Sequence, residues 1–261
     1  MEYLLHILIL IGIYTILAVS LNLLVGFTGI LSIAQAAFYG IGAYVAALMA
    51  LRLETPFLLN IFLAMAVAGV FGAIVGIPSL RLREDYFVIA TFAFQVIIFS
   101  ILNNLVDFTG GPLGLPGIPK PNFFGYEIST HFEFLILVIL LAGFTYWIAN
   151  RVVQSPFARL LKSIREDEIF IQAIGRNVAS AKVKVFILSA SLASISGVIY
   201  ATYITYIDPT SFTVMESIFI ISIVIIGGAG NLKGSVLGAA FLVALSELLR
   251  TPVIVLPAPP A

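Results

Sequence analysis

The chain has 261 residues, of which 61% are hydrophobic and 10% charged, with no net charge, no cysteine and a mean hydropathy of +1.14. A soluble domain is closer to half apolar and a quarter charged, so lipid must solvate much of this chain. The balanced charge gives no reason to expect a nucleic-acid partner. The lack of cysteine excludes disulfides and thiolate chemistry.

Eight apolar segments could cross a membrane as helices, since a spanning helix needs about 20 mostly apolar residues. They are Tyr3–Val25, Ile30–Leu51, Phe57–Ile77, Tyr86–Leu105, Phe132–Asn150, Val183–Tyr206, Val214–Ile226 and Ser235–Leu249, the last two being short. No basic residue precedes the first segment, and this segment is longer than the apolar core of a cleavable signal peptide. We therefore expect it to remain in the protein as a helix. The sequence predicts an all-α, polytopic transmembrane bundle of about eight spanning helices, forming a single domain over residues 1–261.

Three of these segments are rich in small residues, which allow helix backbones to approach closely inside a bilayer. They are Gly40, Gly42 and Ala43, then Gly69, Gly72 and Gly76, and then Ser189, Ser191, Ser194, Ser196 and Gly197. We expect these helices to pack against other helices. The spacing Gly-x-x-Gly-x-Leu also occurs twice, from Gly26 and from Gly227, and is interpreted as chance similarity rather than as a repeat.

The distribution of Lys and Arg predicts the orientation of the chain. Ten of the thirteen basic residues fall on one side: seven between Arg151 and Lys184, together with Arg81, Arg83 and Lys233. We assign this side to the cytoplasm. The segment 106–131 then lies outside, and its glycines and prolines are expected to interrupt any helix or ladder. It is either a plain connector or a contact surface for a partner.

Sequence signals for catalysis are lacking. Without a Gly-Lys dipeptide there is no phosphate-binding loop, and no His-Glu-x-x-His motif occurs. The two histidines, His6 and His131, lie in unrelated segments and do not predict a metal site. We therefore expect no catalytic, cofactor or metal-binding residues.

Neutral polar residues do occur within the predicted spans. Those that could line a pathway for a small zwitterion are Asn22, Gln35, Thr91, Gln95 and Ser191. Each could instead bond across a helix interface. Among the scarce ionisable groups of the spans, Glu216 and Glu247 are expected at outward helix ends in headgroup water. The lack of mid-span charge argues against a proton- or sodium-coupled carrier.

The segment Gln154–Lys184 is the most informative loop. Ser155 before Pro156 predicts a helix start, the acidic triplet Glu166-Asp167-Glu168 interrupts an apolar pattern, and Gly175 predicts a stop. The predicted amphipathic helix either lies on the headgroups or docks into a cytoplasmic partner.

Four stretches, in this order, carry a resemblance to a known family. They are Ser20–Tyr44, Leu80–Thr91 leading to Thr109–Pro119, Ala158–Gly175, and Gly227–Ala239. Together they resemble the permeases of branched-chain amino-acid ABC importers. The Thr-Gly-Gly-x-x-Gly-Leu run from Thr109 favours the LivM-type subunit over the LivH-type.

The resemblance implies a multi-pass inner-membrane permease without an ATP site of its own. Its implied partners are a second homologous permease, two cytoplasmic ATPase subunits and an extracytoplasmic binding protein, with the lipid bilayer around them. Residues 151–182 would form the loop that couples to the ATPase, with these candidate residues: Arg159, Lys162, Arg165, Glu166, Asp167, Glu168 and Gly175. The implied substrates are branched-chain or other hydrophobic amino acids. Related urea and amide importers are the alternative, and a stand-alone transporter or channel is less favoured.

Two departures from the family pattern stand out. Ala34-Gln35 occupies the place where the family commonly has Gly-His, so specificity is expected to differ if that position contacts substrate. The family also commonly continues past Leu248-Leu249-Arg250 into another helix, whereas here eleven residues follow, four of them proline. We expect no final helix in this stretch.

Overall fold

The computed structural model describes residues 2–79, 84–123, 126–128 and 130–250. Eleven helices occur in these residues: α1 Glu2–Thr28, α2 Gln35–Leu53, α3 Phe57–Ser79, α4 Glu84–Asn104, α5 Val106–Thr109, α6 His131–Val153, α7 Pro156–Glu166, α8 Glu168–Ala173, α9 Val178–Ile204, α10 Val214–Gly227 and α11 Leu232–Arg250. The long helices have little amphipathic character, as expected for helices that face lipid or one another on every side. The predicted all-α polytopic bundle is confirmed.

Seven of these helices, within the described ranges, are long and apolar enough to span a membrane. The seventh predicted segment, Val214–Ile226, is α10, which has only 14 residues. Several predicted boundaries were wrong. The second segment was predicted from Ile30, but residues 29–34 are not helical and α2 begins at Gln35. The sixth segment was predicted from Val183, but α9 begins at Val178. It was also predicted to run through Tyr206, but α9 ends at Ile204 and Tyr206 lies in a strand.

Helix α9 is the centre of the bundle and packs against α1, α2 and α3. Gly42 of α2 lies against the Ser194 backbone, and Gly197 of α9 lies against the Tyr39 carbonyl. A Cβ at either glycine would overlap that backbone, so these positions permit the close crossing. The prediction that helices rich in small residues pack on other helices is confirmed.

The loops gather at two opposite ends of the bundle. At one end, which we call the basic end, residues 26–34 meet the loop 151–177 and the turn 227–231. At the other, the loop end, Arg52 reaches the carbonyls of Asp107 and Phe108, and Ile118 N–H donates to the Thr205 carbonyl. This grouping follows the sides predicted from Lys and Arg, although Arg81 and Arg83 lie outside the described residues.

The segment 106–131 is more regular than its composition suggests. It contains α5, a 3₁₀ turn Gly111–Leu113 and three strands: β1 Leu115–Pro116, β2 Asn122–Phe123 and β3 Tyr126–Glu127. Strand β1 pairs antiparallel with β4 Tyr206–Ile207, and β2 pairs with β3. The expectation that glycine and proline prevent any helix or ladder was therefore wrong. The glycines and prolines lie mainly in turns, and the residues between the turns form ladders of two residues.

Candidate functional site

Helix α2 begins inside the bundle rather than at its surface. The Gln35 side-chain amide donates to Ser20 Oγ at 2.7 Å and to the Leu17 carbonyl at 3.4 Å. Ser20 and Leu17 precede the last residue of α1, Thr28, by 8 and 11 positions. At 1.5 Å per residue, Gln35 lies about 12–17 Å below the end of α1. The chain from Gly29 to Ala34 therefore re-enters the bundle without helical structure.

Side chains from other helices satisfy the amides at this interior start. Such amides have no partner within their own helix, and inside a bilayer they need one. Thr91 Oγ1 of α4 accepts from Ile33 N–H at 3.2 Å, and Ser217 Oγ of α10 accepts from Ala36 N–H at 2.9 Å. Two neighbouring helices therefore hold the start of α2.

Helix α10 also starts inside the bundle. Residues 208–213 descend from the loop end, and Gln95 of α4 donates from Nε2 to the Phe212 carbonyl at 2.8 Å. Ser217 Oγ donates to Gln95 Oε1 at 3.3 Å. We call Ala36, Thr91, Gln95, Phe212 and Ser217 the interior junction. In it two interrupted chain segments meet across a single face of α4.

Three of the five predicted pathway residues lie at or beside the interior junction: Gln35, Thr91 and Gln95. All three are buried and bonded across helix interfaces. The other two lie elsewhere. Ser191 Oγ donates to the Met65 carbonyl of α3 at 3.0 Å, and Asn22 lies at the basic end. The sequence reading missed Ser20 and Ser217, whose only signal is a hydroxyl in an apolar run.

Glu216 and Glu247 also bond to the bundle. Glu216 accepts from the Tyr14 hydroxyl at 2.6 Å, and Glu247 accepts from the Tyr3 hydroxyl at 3.1 Å. Both residues are partly buried. We expected Glu216 to lie in headgroup water at an outward helix end. This expectation was wrong, because α10 begins inside the bundle, below the loop end. Each carboxylate ties its helix to α1.

The loop between α6 and α9 folds as two helices, α7 and α8, broken at Asp167 as the acidic triplet predicted. Asp167 Oδ1 accepts from Phe170 N–H at 2.9 Å and caps α8. Glu168 pairs with the buried Lys182 at 2.6 Å and also accepts from Gln172. Glu166 is exposed. Two of the three acids therefore hold the loop together.

The basic side chains of α7 point in different directions. Arg165 Nη1 donates to the Gly26 carbonyl at 2.7 Å, and the Lys162 ammonium lies 5.4 Å from the Phe27 ring centre. Both reach inward to the end of α1. Arg159, Lys162 and Arg165 are all exposed. Lys162 and Arg165 nevertheless contact the end of α1.

Helix α8 presents an apolar surface at the basic end. Ile169, Phe170 and Ile174 are 80%, 60% and 58% exposed, whereas Ile171 is buried. We call these three exposed residues the apolar knob. Gly175 follows with a φ of +80°, its N–H bonded to the Gln172 carbonyl at 2.9 Å. An exposed apolar cluster of this kind is typical of a contact with a protein or a membrane.

A cleft of about 780 Å³ opens at the loop end, between the α2–α3 corner and the segment 117–122. Leu51, Phe57 and Pro119 contribute apolar walls, and Glu54 and Lys120 contribute opposite charges at its rim. None of the predicted pathway residues lines it. The cleft is thus separate from the interior junction.

Comparison with known proteins identifies the family. The family model for the branched-chain amino acid transport system / permease component matches residues 3–259. The chain belongs to this family. It is 36% identical to the high-affinity branched-chain amino acid transport system permease protein LivM of Salmonella typhimurium, over 91% of this chain and 61% of that protein. It is 30% identical to a probable LivM of Methanocaldococcus jannaschii, over 74% of this chain and 56% of that protein.

The LivH-type relatives are more distant. The probable LivH of Methanocaldococcus jannaschii is 26% identical over 90% of this chain and 76% of that protein. The predicted resemblance to the LivM type is confirmed. The chain spans about six tenths of the length of the first LivM relatives. No solved structure matches the chain.

Proposed function

We propose that the chain is the permease subunit of an ATP-driven importer that carries branched-chain or other hydrophobic amino acids across the inner membrane. The family and the names of the LivM relatives support this role. The chain has no phosphate-binding loop of its own, so ATP would bind to partner subunits. The proposed partners are a second permease, two cytoplasmic ATPases and an extracytoplasmic binding protein.

The apolar knob is the observation that carries this proposal. An amphipathic helix on anionic headgroups would present basic residues beside its apolar face. Around the knob the side chains are mixed in charge, and α8 is fixed by Asp167 and Glu168 rather than left free. A fixed apolar projection fits a groove in a protein, so we assign it to the ATPase subunits.

The interior junction is the proposed position of the transport pathway. Non-helical backbone inside a bilayer is tolerated only where protein buries it or where it lines a cavity, and broken helices mark substrate sites in many transporters. Its neutral side chains would give weak, distributed contacts that do not trap an amino acid.

The knob is tested by replacing Phe170 with serine in the complete complex. This change removes exposed apolar surface without disturbing the buried core, so the variant should insert normally and lose ATPase subunits on purification. Leu113→Ser is the matched control, because Leu113 is 82% exposed at the opposite end. It should retain them. Equal retention by both variants would assign the knob to the membrane surface instead.

The function is tested by measuring amino-acid uptake in vesicles that contain the complete complex. ATP is supplied on the side of the membrane where the ATPase subunits lie. Uptake of leucine should require hydrolysable ATP and the binding protein. Competition by isoleucine and valine supports the proposed substrates, and competition by urea alone supports the amide-importer alternative. Proton-driven uptake by this chain without its partners would overturn the proposal.

A further inference from the structure

Arg165 lies where the loop carrying the apolar knob meets the transmembrane bundle. Its guanidinium donates to the Gly26 carbonyl in the last turn of α1. Its stem crosses Gly29, where an added Cβ would lie 3.0 Å from Arg165 Cγ. The carbonyls of a last helical turn have no partner in their own helix and favour a cation. Arg165 of α7 therefore caps the end of α1 with a hydrogen bond.

The end of α1 also holds the turn between α10 and α11. Asn22 Oδ1 accepts from Gly230 N–H at 2.7 Å, and the Asn22 amide donates to the Asn231 carbonyl at 3.0 Å and to Ser235 Oγ at 2.6 Å. Gly26 packs so closely on the Gly230 backbone that a Cβ at Gly26 would overlap it, and Gly230 has a φ of +90°. The two Gly-x-x-Gly-x-Leu stretches of the sequence therefore meet here.

Both chain segments that leave this contact lead to the interior junction. Residues 29–34 run from Gly29 to the start of α2, where Thr91 and Ser217 hold the amides. Helix α10 runs from Ser217 to the turn at Gly230, a distance of about 15–20 Å at 1.5 Å per residue. A displacement of Gly26 or Gly29 is therefore passed on to both interrupted segments.

We propose that Arg165 is the positioning residue that transmits movement of α7 and α8 to the interior junction. This inference rests on the proposed function. Arg165 is suited to the task because its planar guanidinium is a rigid, always charged donor, whereas a lysine ammonium is a flexible point charge. Lys162, which contacts only the Phe27 ring, stabilises the same end of α1 without bonding to its backbone.

The test uses the complete complex and a Leu31→Cys reporter in this cysteine-free chain. Leu31 lies in the re-entrant segment and is partly exposed. Its labelling by a small thiol reagent, located by mass spectrometry, should change between the nucleotide-free and the ATP-trapped complex. With Arg165→Gln added, the complex should still hydrolyse ATP, the change in labelling should disappear, and uptake per ATP should fall at least about fivefold, the lower bound for coupling between distant sites.

Two further variants make the result specific. Lys184→Gln removes an exposed charge from the basic end away from α1, and it should leave both readouts unchanged. Arg165→Lys keeps the charge but loses the guanidinium, and it should reduce the labelling change in part. If Arg165→Gln does not assemble, Arg165→Lys decides. A full labelling change together with normal uptake per ATP in that variant would overturn the inference and leave Arg165 as a local anchor.

A different result would contradict the proposed function: uptake by the unmodified complex that does not require ATP. An unmodified complex that imports leucine with ATP, combined with Arg165 variants that couple normally, would overturn the inference alone.

Discussion

The candidate residues act mainly by fixing backbone that would otherwise lack partners. Thr91, Gln95 and Ser217 satisfy or tie interior helix starts, where a bilayer supplies no water. Arg165 bonds to the end of α1 at the basic end. Thr91 and Gln95 could be identified from the sequence as neutral polar residues within apolar runs, whereas Ser217 was missed. Their partners could not be identified, because each bond joins residues far apart in the chain.

Replacing Gln95 by leucine is expected to loosen the interior junction. Both the Phe212 carbonyl and the Ser217 hydroxyl would lose a bond, and polar contacts between transmembrane helices are worth about 0.6–2 kcal/mol each. The melting temperature in detergent should fall by a few degrees. Asn104→Ala is the control, because its amide bonds only within α4 at an exposed position. Equal melting temperatures for the two variants would contradict the role given to Gln95.

Substitutions at Gly175 are expected to separate backbone strain from contact with a partner. Its φ of +80° costs any L-residue about 1–2 kcal/mol, except that asparagine tolerates this region better. Apart from its neighbours in sequence, no described residue has an atom within 4 Å of an added Cβ, so side-chain size should matter little to the fold.

Gly175→Asn, Gly175→Ala and Gly175→Leu should therefore insert alike. If the ATPase packs against this turn, ATPase retention and uptake per ATP should fall most for leucine. If ATPase retention and uptake per ATP fall equally in the alanine and leucine variants, backbone strain alone would account for the loss. Unchanged transport per ATP in the leucine variant would remove the turn from the coupling surface.

At the scale of elements, hydropathy predicted which segments are helices but not where α2 begins or where α9 ends. Residues 30–34 are nearly as apolar as the start of α2, so no composition change marks that break. Gly29 and Pro209 are the only local signals, and both are also common at surface turns. The loop 151–177 was more predictable, because capping and stop residues act locally: Ser155, Asp167 and Gly175 lie at the helix limits.

Helix α8 is too short to be stable alone, so its anchor should control its order. An exposed ion pair contributes about 0–1 kcal/mol to stability. Lys182 is only 4% exposed, so removing the Glu168 carboxylate would leave a buried ammonium group unpaired. Glu168→Gln should therefore destabilise α8 by about 1–2 kcal/mol, less than the ~3–5 kcal/mol for a fully buried pair, because Glu168 is 34% exposed.

The measurement is hydrogen exchange of the amides from 169 to 175, which should become faster in Glu168→Gln. Glu166→Gln is the matched comparison, since Glu166 is exposed and lies at the end of α7, two residues before Glu168. A similar increase in both variants would mean that the Glu168–Lys182 pair does not order α8.

At the scale of the whole molecule, the fold separates a basic end from a loop end, with the interior junction between them. The apolar knob and the Arg165 contact belong to the basic end, and the 780 Å³ cleft belongs to the loop end. An importer of the proposed kind needs one surface for ATPases and another for a binding protein. The positive-inside rule then predicts that the basic end faces the cytoplasm.

Cysteine labelling tests that orientation directly, because the native chain has no cysteine. Lys120 and Arg159 are both exposed and lie at the loop end and the basic end respectively. In sealed right-side-out membranes, Lys120→Cys should react with an impermeant maleimide at once, and Arg159→Cys should react only after permeabilisation. Inverted vesicles should reverse this order, which controls for differences in intrinsic reactivity. Labelling of Lys120→Cys only from the cytoplasmic side would invert the bundle, place the apolar knob outside the cell, and remove the physical basis for coupling to ATP.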